Sequence, residues 1–359
     1  MQPWIIVAVI LACLLLALGI VARLLPRAEL ASRSSRSMGG RATLTVGARY
    51  SRRIDSLAGQ VHGLFERLEQ ELSAYRPASA ISLLAEKAGV SSVALSEDSW
   101  RLLSLALRFD ELGDGASDVT VTPLVRLWGF GGGPNLNAIP SEEAIRERLS
   151  LVDSRRVILK DQTAFLPVKG MAVDLGSIAK GYAVDRAFDL CRSAGVEDFL
   201  IDLSGNIRVS GRPRWRESWQ IGVRDPFDRS GIIGQITLRS GLALATSGNY
   251  ERFVEIMGQR YSHIIDPKTG LPATGTAGVT VLCEDATTAD GLSTSLFVVG
   301  LKGCGKLLQK SPPADVLIVP DKYPIEIWLT RGFAEVFVPV PELASAVRIL
   351  PQGEGRSGP

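Results

Sequence analysis

Helical and extended periodicities alternate along this chain at irregular intervals, and that irregularity is the strongest limit on its fold. From Ile54, the apolar residues Leu57, Val61, Leu64, Leu68 and Leu72 recur three and four apart. That spacing buries one face of a long helix. Further helices are predicted near 97–112, with Ser96 as N-cap and Gly113 as stop, and near 141–151, 178–194 and 288–299. Strand-like runs fall at 41–48, 156–159, 199–202, 219–223, 232–238, 279–283, 316–319, 325–329 and 334–338. A parallel barrel needs regular strand–helix alternation, and no repeat of fixed period is present. The expectation is therefore an α+β (mixed α/β) body, and 359 residues are enough to bury a large core.

Residues 4–22 are nineteen apolar or small residues without a charge. As a helix they reach about 28 Å, close to a bilayer core of roughly 30 Å. They read as a membrane anchor or signal segment, spanning 1–22 with its flank. Arg23, Arg27, Arg33 and Arg36 follow, so the positive-inside rule alone puts the body in the cytoplasm. Cys13 sits mid-run and reads as an ordinary membrane cysteine. Residues 23–40 end in small and polar residues and read as a linker. The folded domain is then expected over 41–345, with a flexible tail at 346–359.

Charge excludes one large class of partner. Lys and Arg number 40, Asp and Glu 38, for a net charge of +2. Such a balance offers no field for nucleic acid. The four cysteines and two histidines include no CxxC and no HExxH, so a closed zinc site is disfavoured. Any metal here is expected to be hard and bound by oxygen, as magnesium would be.

Three segments could carry chemistry. In 172–181, Gly176 and Ser177 link a strand end to a helix start, where free N–H groups suit a phosphate. Asp174 and Lys180 flank that junction, which also reads as plain tight packing. In 289–295, Asp290 and Thr294 are four apart on one helix face, with Ser293 beside them. These oxygens could hold magnesium, or Asp290 could merely complement the helix dipole. In 262–270, His263 precedes an Asp-Pro-Lys-Thr-Gly turn. It is one of two side chains whose ordinary pKa suits base catalysis at neutral pH; the other, His62, reads as a boundary residue. Softer signals are Tyr75-Arg-Pro, 114–124, Trp128-Gly-Phe-Gly and Ala245-Thr-Ser-Gly. The Gly-rich run 300–307 fails as a P-loop, because Leu307 stands where the hydroxyl residue belongs.

Taken in order, the stretches Tyr75-Arg-Pro-Ala-Ser-Ala-Ile-Ser, Asp114-Gly-Ala-Ser-Asp, Leu127-Trp-Gly-Phe-Gly, Val173-Asp-Leu-Gly-Ser-Ile-Ala-Lys-Gly, Ala245-Thr-Ser-Gly, His263-Ile-Ile-Asp-Pro-Lys-Thr-Gly-Leu-Pro and Ala289-Asp-Gly-Leu-Ser-Thr resemble the ApbE family of flavin transferases. The resemblance spans roughly 38–300. It implies a two-part, T-fold-like body with the ligand cleft between the parts, preceded by one N-terminal hydrophobic helix. It implies transfer of FMN from FAD to a Thr or Ser hydroxyl of a target protein, with Mg2+ as cofactor and AMP released. The target would be a redox-complex subunit or an FMN-binding domain. By the same resemblance, His263 is the general base. Met38, Tyr75, Arg76, Asp118, Asp174, Lys180 and Ile264 line the FAD site, and Ser177, Asp290, Ser293 and Thr294 surround the metal. Family members are commonly exported or lipid-anchored, which favours a membrane-anchored chain with its body on the periplasmic side. The rival readings are an FAD pyrophosphatase and a membrane-tethered flavin-binding module without turnover.

Overall fold

The computed structural model describes residues 30–134, 136, 138–213, 218–228 and 230–351. The segment 4–22 lies outside them. Among the described residues no helix is long and apolar enough to cross a membrane.

The chain enters through a hairpin of β1 (Ala31–Ser37) and β2 (Gly40–Val46), then forms helices α1 (Ile54–Leu72), α2 (Ala80–Glu86), α3 (Glu97–Leu112), α4 (Thr122–Leu127) and α5 (Glu142–Leu149). Short strands β3 (Val93–Ala94), β4 (Ile158–Lys160) and β5 (Thr163–Phe165) make a small sheet beside them. After α6 (Ala179–Ser193) come β6 (Phe199–Leu203), β7 (Asn206–Ser210), β8 (Trp219–Arg224), β9 (Ile232–Leu238) and β10 (Ala243–Gly248). A separate hairpin of β11 (Phe253–Ile256) and β12 (Gln259–Ser262) precedes β13 (Thr276–Cys283) and the long α7 (Ala286–Lys310). The chain closes with β14 (Asp315–Pro320), β15 (Ile327–Leu329), α8 (Arg331–Val336), β16 (Phe337–Pro339) and β17 (Val347–Ile349).

Nine strands form the central sheet, in the order β1-β2-β6-β7-β10-β13-β14-β15-β17. Its pairings are antiparallel except β15 with β17. The sheet is covered on both faces, and the strand period of two divides its side chains between them. Val279, Val281, Val316 and Ile318 pack on the helical side with α1, α6 and α7. Leu282, Leu317 and Val319 pack on the other side against Trp219, Ile236 and Phe333, beneath the β16-β9-β8 sheet. All eight residues of β13 are buried, as a strand between two cores requires. A third small cluster (Leu124, Trp128, Ile145, Ile256 and Ile265) ties α4 and α5 to the β11–β12 hairpin.

Several elements differ from the sequence expectation. Residues 31–37 are an edge strand and not a linker. Their cohesion is polar: Ser32 and Ser34 meet Thr45 and Thr43 across the strand at 2.8 and 2.9 Å, so no apolar alternation marks them. The expected tail at 346–359 contributes β17, paired parallel to β15 from Val347 to Ile349. The predicted strand at 334–338 is the end of α8 followed by β16. The helix predicted over 288–299 runs from Ala286 to Lys310, because the chain breaks at Gly300 (φ 58°, ψ −162°) and then turns helical again. A positive φ of this kind costs glycine little.

Candidate active site

The site begins where α6 meets α7. At Gly181, a Cβ would stand 2.1 Å from the Ala286 carbonyl oxygen and 2.7 Å from Asp290 Cβ, so only glycine allows the two helices to come this close. The approach lets Gly181 N–H donate to Asp290 Oδ2 at 2.8 Å. One turn further along α6, Asp185 accepts from the first amides of α7, Ala286 at 2.9 Å and Thr287 at 2.8 Å. Asp290 is thereby fixed at 5 % exposure. Burial raises its pKa, while the Lys180 ammonium and the amides of Gly181 and Lys180 pull it down.

A row of hydroxyls continues from Asp290. Ser293 Oγ donates to the Asp290 carbonyl at 2.9 Å and lies 2.8 Å from Ser247 Oγ on β10; Ser247 Oγ is in turn 3.4 Å from Thr294 Oγ1. Ser293 is wholly buried. Its hydroxyl meets the Asp290 carbonyl and Ser247 Oγ, next to the other expected metal donors Asp290 and Thr294. Thr294 remains half-buried.

Across the helix pair lies the Gly176–Ser177 junction. Asp174 accepts from Gly176 N–H at 2.8 Å and from the Tyr75 hydroxyl, and its own amide donates to Val119 O at 2.9 Å. Burial first, and then Asp174, push the Tyr75 phenol pKa up; the positive charges of Arg252 and Arg126 oppose that rise. Ser177 is half-buried just before α6, whose N-cap residue Ile178 supplies no side-chain cap. Lys180 Nζ reaches the Gly176 carbonyl at 3.3 Å.

The next residue of the Tyr75-Arg motif, Arg76, pairs with Glu69 at 3.1 Å, and Glu69 accepts from the Met38 amide at 2.9 Å. Met38 and Gly39 turn the β1–β2 hairpin with φ of 50° and 75°. Asp118 lies in the loop beside Asp174. Its Oδ1 accepts from the Thr120 amide at 2.7 Å and from the Thr120 hydroxyl, and its Oδ2 from the Ser154 amide at 2.9 Å. With Asp118 8 % exposed, the carboxylate braces the loop whose Val119 carbonyl holds the Asp174 amide. Ile264 is buried, and its carbonyl accepts from the Ala273 amide at 2.8 Å.

His263 follows β12. Its Nδ1 lies 3.0 Å from the carbonyl oxygen of Arg252, which can only accept. Nδ1 therefore carries the proton and Nε2 keeps a lone pair, the tautomer a base requires. The Phe130 ring meets the imidazole edge-on at 6.3 Å. Trp128 Nε1–H donates to Gly270 O at 2.8 Å, pinning the turn that follows His263. Burial lowers the His263 pKa from 6.5 to about 4, with the charges of Lys180 and Arg252 acting the same way and the Arg252 carbonyl opposing. The Lys180 charge acts to lower the pKa of both His263 and Asp290.

The ApbE family model matches residues 38–318. The chain belongs to the ApbE family. It is 35% identical to the FAD:protein FMN transferase of Vibrio cholerae over 246 residues, covering 68% of this chain and 74% of that protein. It is 37% identical to an FAD:protein FMN transferase of Klebsiella pneumoniae over 263 residues, covering 71% of this chain and 80% of that one. Among solved structures, the flavin transferase ApbE from Vibrio cholerae superposes with a TM-score of 0.78 at 30% identity, over 86% of this chain and 99% of that chain. The ApbE protein from Thermotoga maritima does so with a TM-score of 0.78 at 34% identity, over the same 86% of this chain and 99% of that chain. The mixed α+β fold is accordingly that of the ApbE flavin transferases.

Three residues of this ApbE site escaped the sequence reading. Arg252 is brought to His263 only by the β11–β12 pairing, in which Phe253 faces Ser262. Arg126 lies on α4 and acts on Tyr75 through space. Ser247 belonged to a stretch noted for its small residues, and its hydroxyl contacts to α7 depend on tertiary packing.

The helix contact gives a first expected outcome. Gly181→Ala forces α6 and α7 apart and destabilises the protein by about 1–3 kcal/mol. Urea unfolding monitored by circular dichroism measures this; an unchanged midpoint would show that the close approach is dispensable.

Proposed function

We propose that this chain performs Mg2+-dependent transfer of FMN from FAD to a Thr or Ser hydroxyl of a target protein, releasing AMP. The matched curated relatives are named FAD:protein FMN transferase, which supports flavin transfer to a protein. The observation that carries it into this chain's own residues is the Nδ1-protonated His263 held by the Arg252 carbonyl, together with the close helix contact at Gly181 that fixes Asp290.

The donor set suits a hard cation. Among the described residues no three His, Cys, Asp or Glu side chains gather as a metal site. Asp290, the Thr294 hydroxyl and an oxygen of Ser177 would be joined by water and substrate oxygens, as magnesium prefers. When bound, Mg2+ would neutralise pyrophosphate charge.

The target hydroxyl oxygen attacks the phosphorus of the FMN half. The P–O bond to the AMP half breaks, and AMP leaves with that bridging oxygen. His263 Nε2 takes the hydroxyl proton, because an alkyl hydroxyl attacks poorly at neutral pH without a base. Lys180 and the Gly176–Ser177 amides attract the phosphates. Tyr75 and Asp174 hold the flanking wall, and Met38, Arg76 and Ile264 shape its rim. Asp118 acts through the loop it braces.

Incubating the protein with FAD, Mg2+ and a candidate acceptor domain should yield a covalently fluorescent acceptor and one AMP per flavin. AMP released equally fast without acceptor would instead make the chain an FAD pyrophosphatase. FAD held tightly with no AMP at all would make it a binding module. The acceptor is a redox-complex subunit or an FMN-binding domain. The uncharged run 4–22 anchors the chain in the inner membrane with its body periplasmic, and fractionation with protease shaving of spheroplasts tests that placement.

A further inference from the structure

Proton counting along the hydroxyl row assigns a role to Ser247. A hydroxyl has one proton to donate and two lone pairs. Ser293 donates its proton to the Asp290 carbonyl, 2.9 Å away. Toward Ser247 Oγ, at 2.8 Å, Ser293 can then only accept. The Ser247 proton is therefore committed to Ser293. Toward Thr294 Oγ1, at 3.4 Å, Ser247 can in turn only accept, so the Thr294 proton points at β10. The lone pairs of Thr294 are left for the side away from that strand.

We propose that Ser247 is a positioning residue for the cation site: by taking the Thr294 proton it holds the Thr294 oxygen as a ready donor. This rests on the Mg2+ reading given above. Without Ser247, the Thr294 hydroxyl turns to acceptors within its own helix, such as the Asp290 carbonyl four residues back. It then loses the fixed orientation in which its lone pairs face a cation. The strand alternation supports the arrangement. Ala243 and Ala245 pack in the same core as α7, and Ser247 continues their side of β10. Thr246 points to the opposite face, where its hydroxyl meets that of Thr280 at 3.0 Å. Ser293 thus serves as the anchor that sets the direction of the row.

The test is Mn2+ titration of the purified chain with FAD bound and no acceptor present, read by the electron paramagnetic resonance signal of free Mn2+. Ser247→Ala should weaken Mn2+ binding about tenfold, the lower end of the usual loss for a partner that orients a metal ligand. Ser247→Thr keeps the hydroxyl and should restore the native affinity. In the transfer assay, Ser247→Ala should raise the Mg2+ concentration for half-maximal rate and leave kcat at saturating Mg2+ close to native. Thr246→Val, on the other face, should leave Mn2+ binding unchanged. If Ser247→Ala does not fold, Ser293→Ala removes the anchor of the row and should weaken Mn2+ binding likewise. Native Mn2+ affinity in a folded Ser247→Ala protein overturns the proposal and leaves the transferase reading standing. Equal losses in Ser247→Ala and Thr246→Val overturn it as well, since packing alone would then explain both. Failure of the native chain to bind Mn2+ overturns both this proposal and the cation reading of the site.

Discussion

His263→Ala should lower the rate of FMN transfer by about 10²–10⁴-fold, the usual contribution of a positioned base. The loss should fall on kcat, because the imidazole acts on the acceptor proton and FAD is held by other residues. Acidity gives an independent check. With its pKa near 4, His263 is already neutral at neutral pH and can accept a proton. The acid limb of kcat/KM should therefore lie near pH 4, well below the 6.5 of an ordinary histidine. A limb at 6 to 7 would mean that another group is the base. Stability follows the same sign. Between about 4 and 6.5 the unfolded chain binds a proton at this position that the native state does not. Native stability must then decline as the pH falls through that window. The alanine variant should lose less stability than the native chain between neutral pH and pH 5, as measured by urea unfolding at both. Equal losses would show that the native ring titrates normally.

The same residue illustrates what a sequence discloses and what it withholds. That His263 is a rare base ahead of a secure turn was readable; its tautomer was not, because that depends on the Arg252 carbonyl brought over by a hairpin. The long helix α1 was legible because Leu57, Val61, Leu68 and Leu72 all meet the core, although Phe65 is the fully buried residue where Leu64 was expected. The strands β1 and β10 were hidden for opposite reasons. The first is held by cross-strand hydroxyl pairs on an exposed edge. The second is built of small residues, Ala243, Ala245, Ser247 and Gly248, whose place between β7 and β13 comes from partners far along the chain. Asp118 and Ser293 show the limit for sites. Residue type and order made each a fitting ligand, but the hydrogen bonds to Thr120, Ser154, Asp290 and Ser247 that set how each side chain is held come from the fold. Which lone pairs of a carboxylate or hydroxyl the fold leaves open is a property of packing.

Asp290→Asn separates the charge of the cation site from its shape. The amide oxygen of asparagine can still accept from Gly181 N–H, so the α6–α7 contact survives the change. What disappears is a buried negative charge that burial already penalises. In the absence of divalent ions, the variant should unfold at the same or a higher urea concentration than the native chain. Mg2+ should then raise the native midpoint, since any ligand that binds only the folded state stabilises it, by about 2.7 kcal/mol at a hundred times its dissociation constant. The variant should show no such shift. Its transfer rate should fall about 10²–10³-fold, the scale of several kcal/mol of charge stabilisation lost from a phosphoryl-transfer step. Together these outcomes distinguish a metal carboxylate from a structural one. A structural Asp290 would give a variant less stable without Mg2+ and still stabilised by it, and its activity would fall only as far as its folded fraction. A variant that keeps the Mg2+-induced shift would remove Asp290 from the cation site, leaving positive side chains such as Lys180 and Arg252 to meet the pyrophosphate.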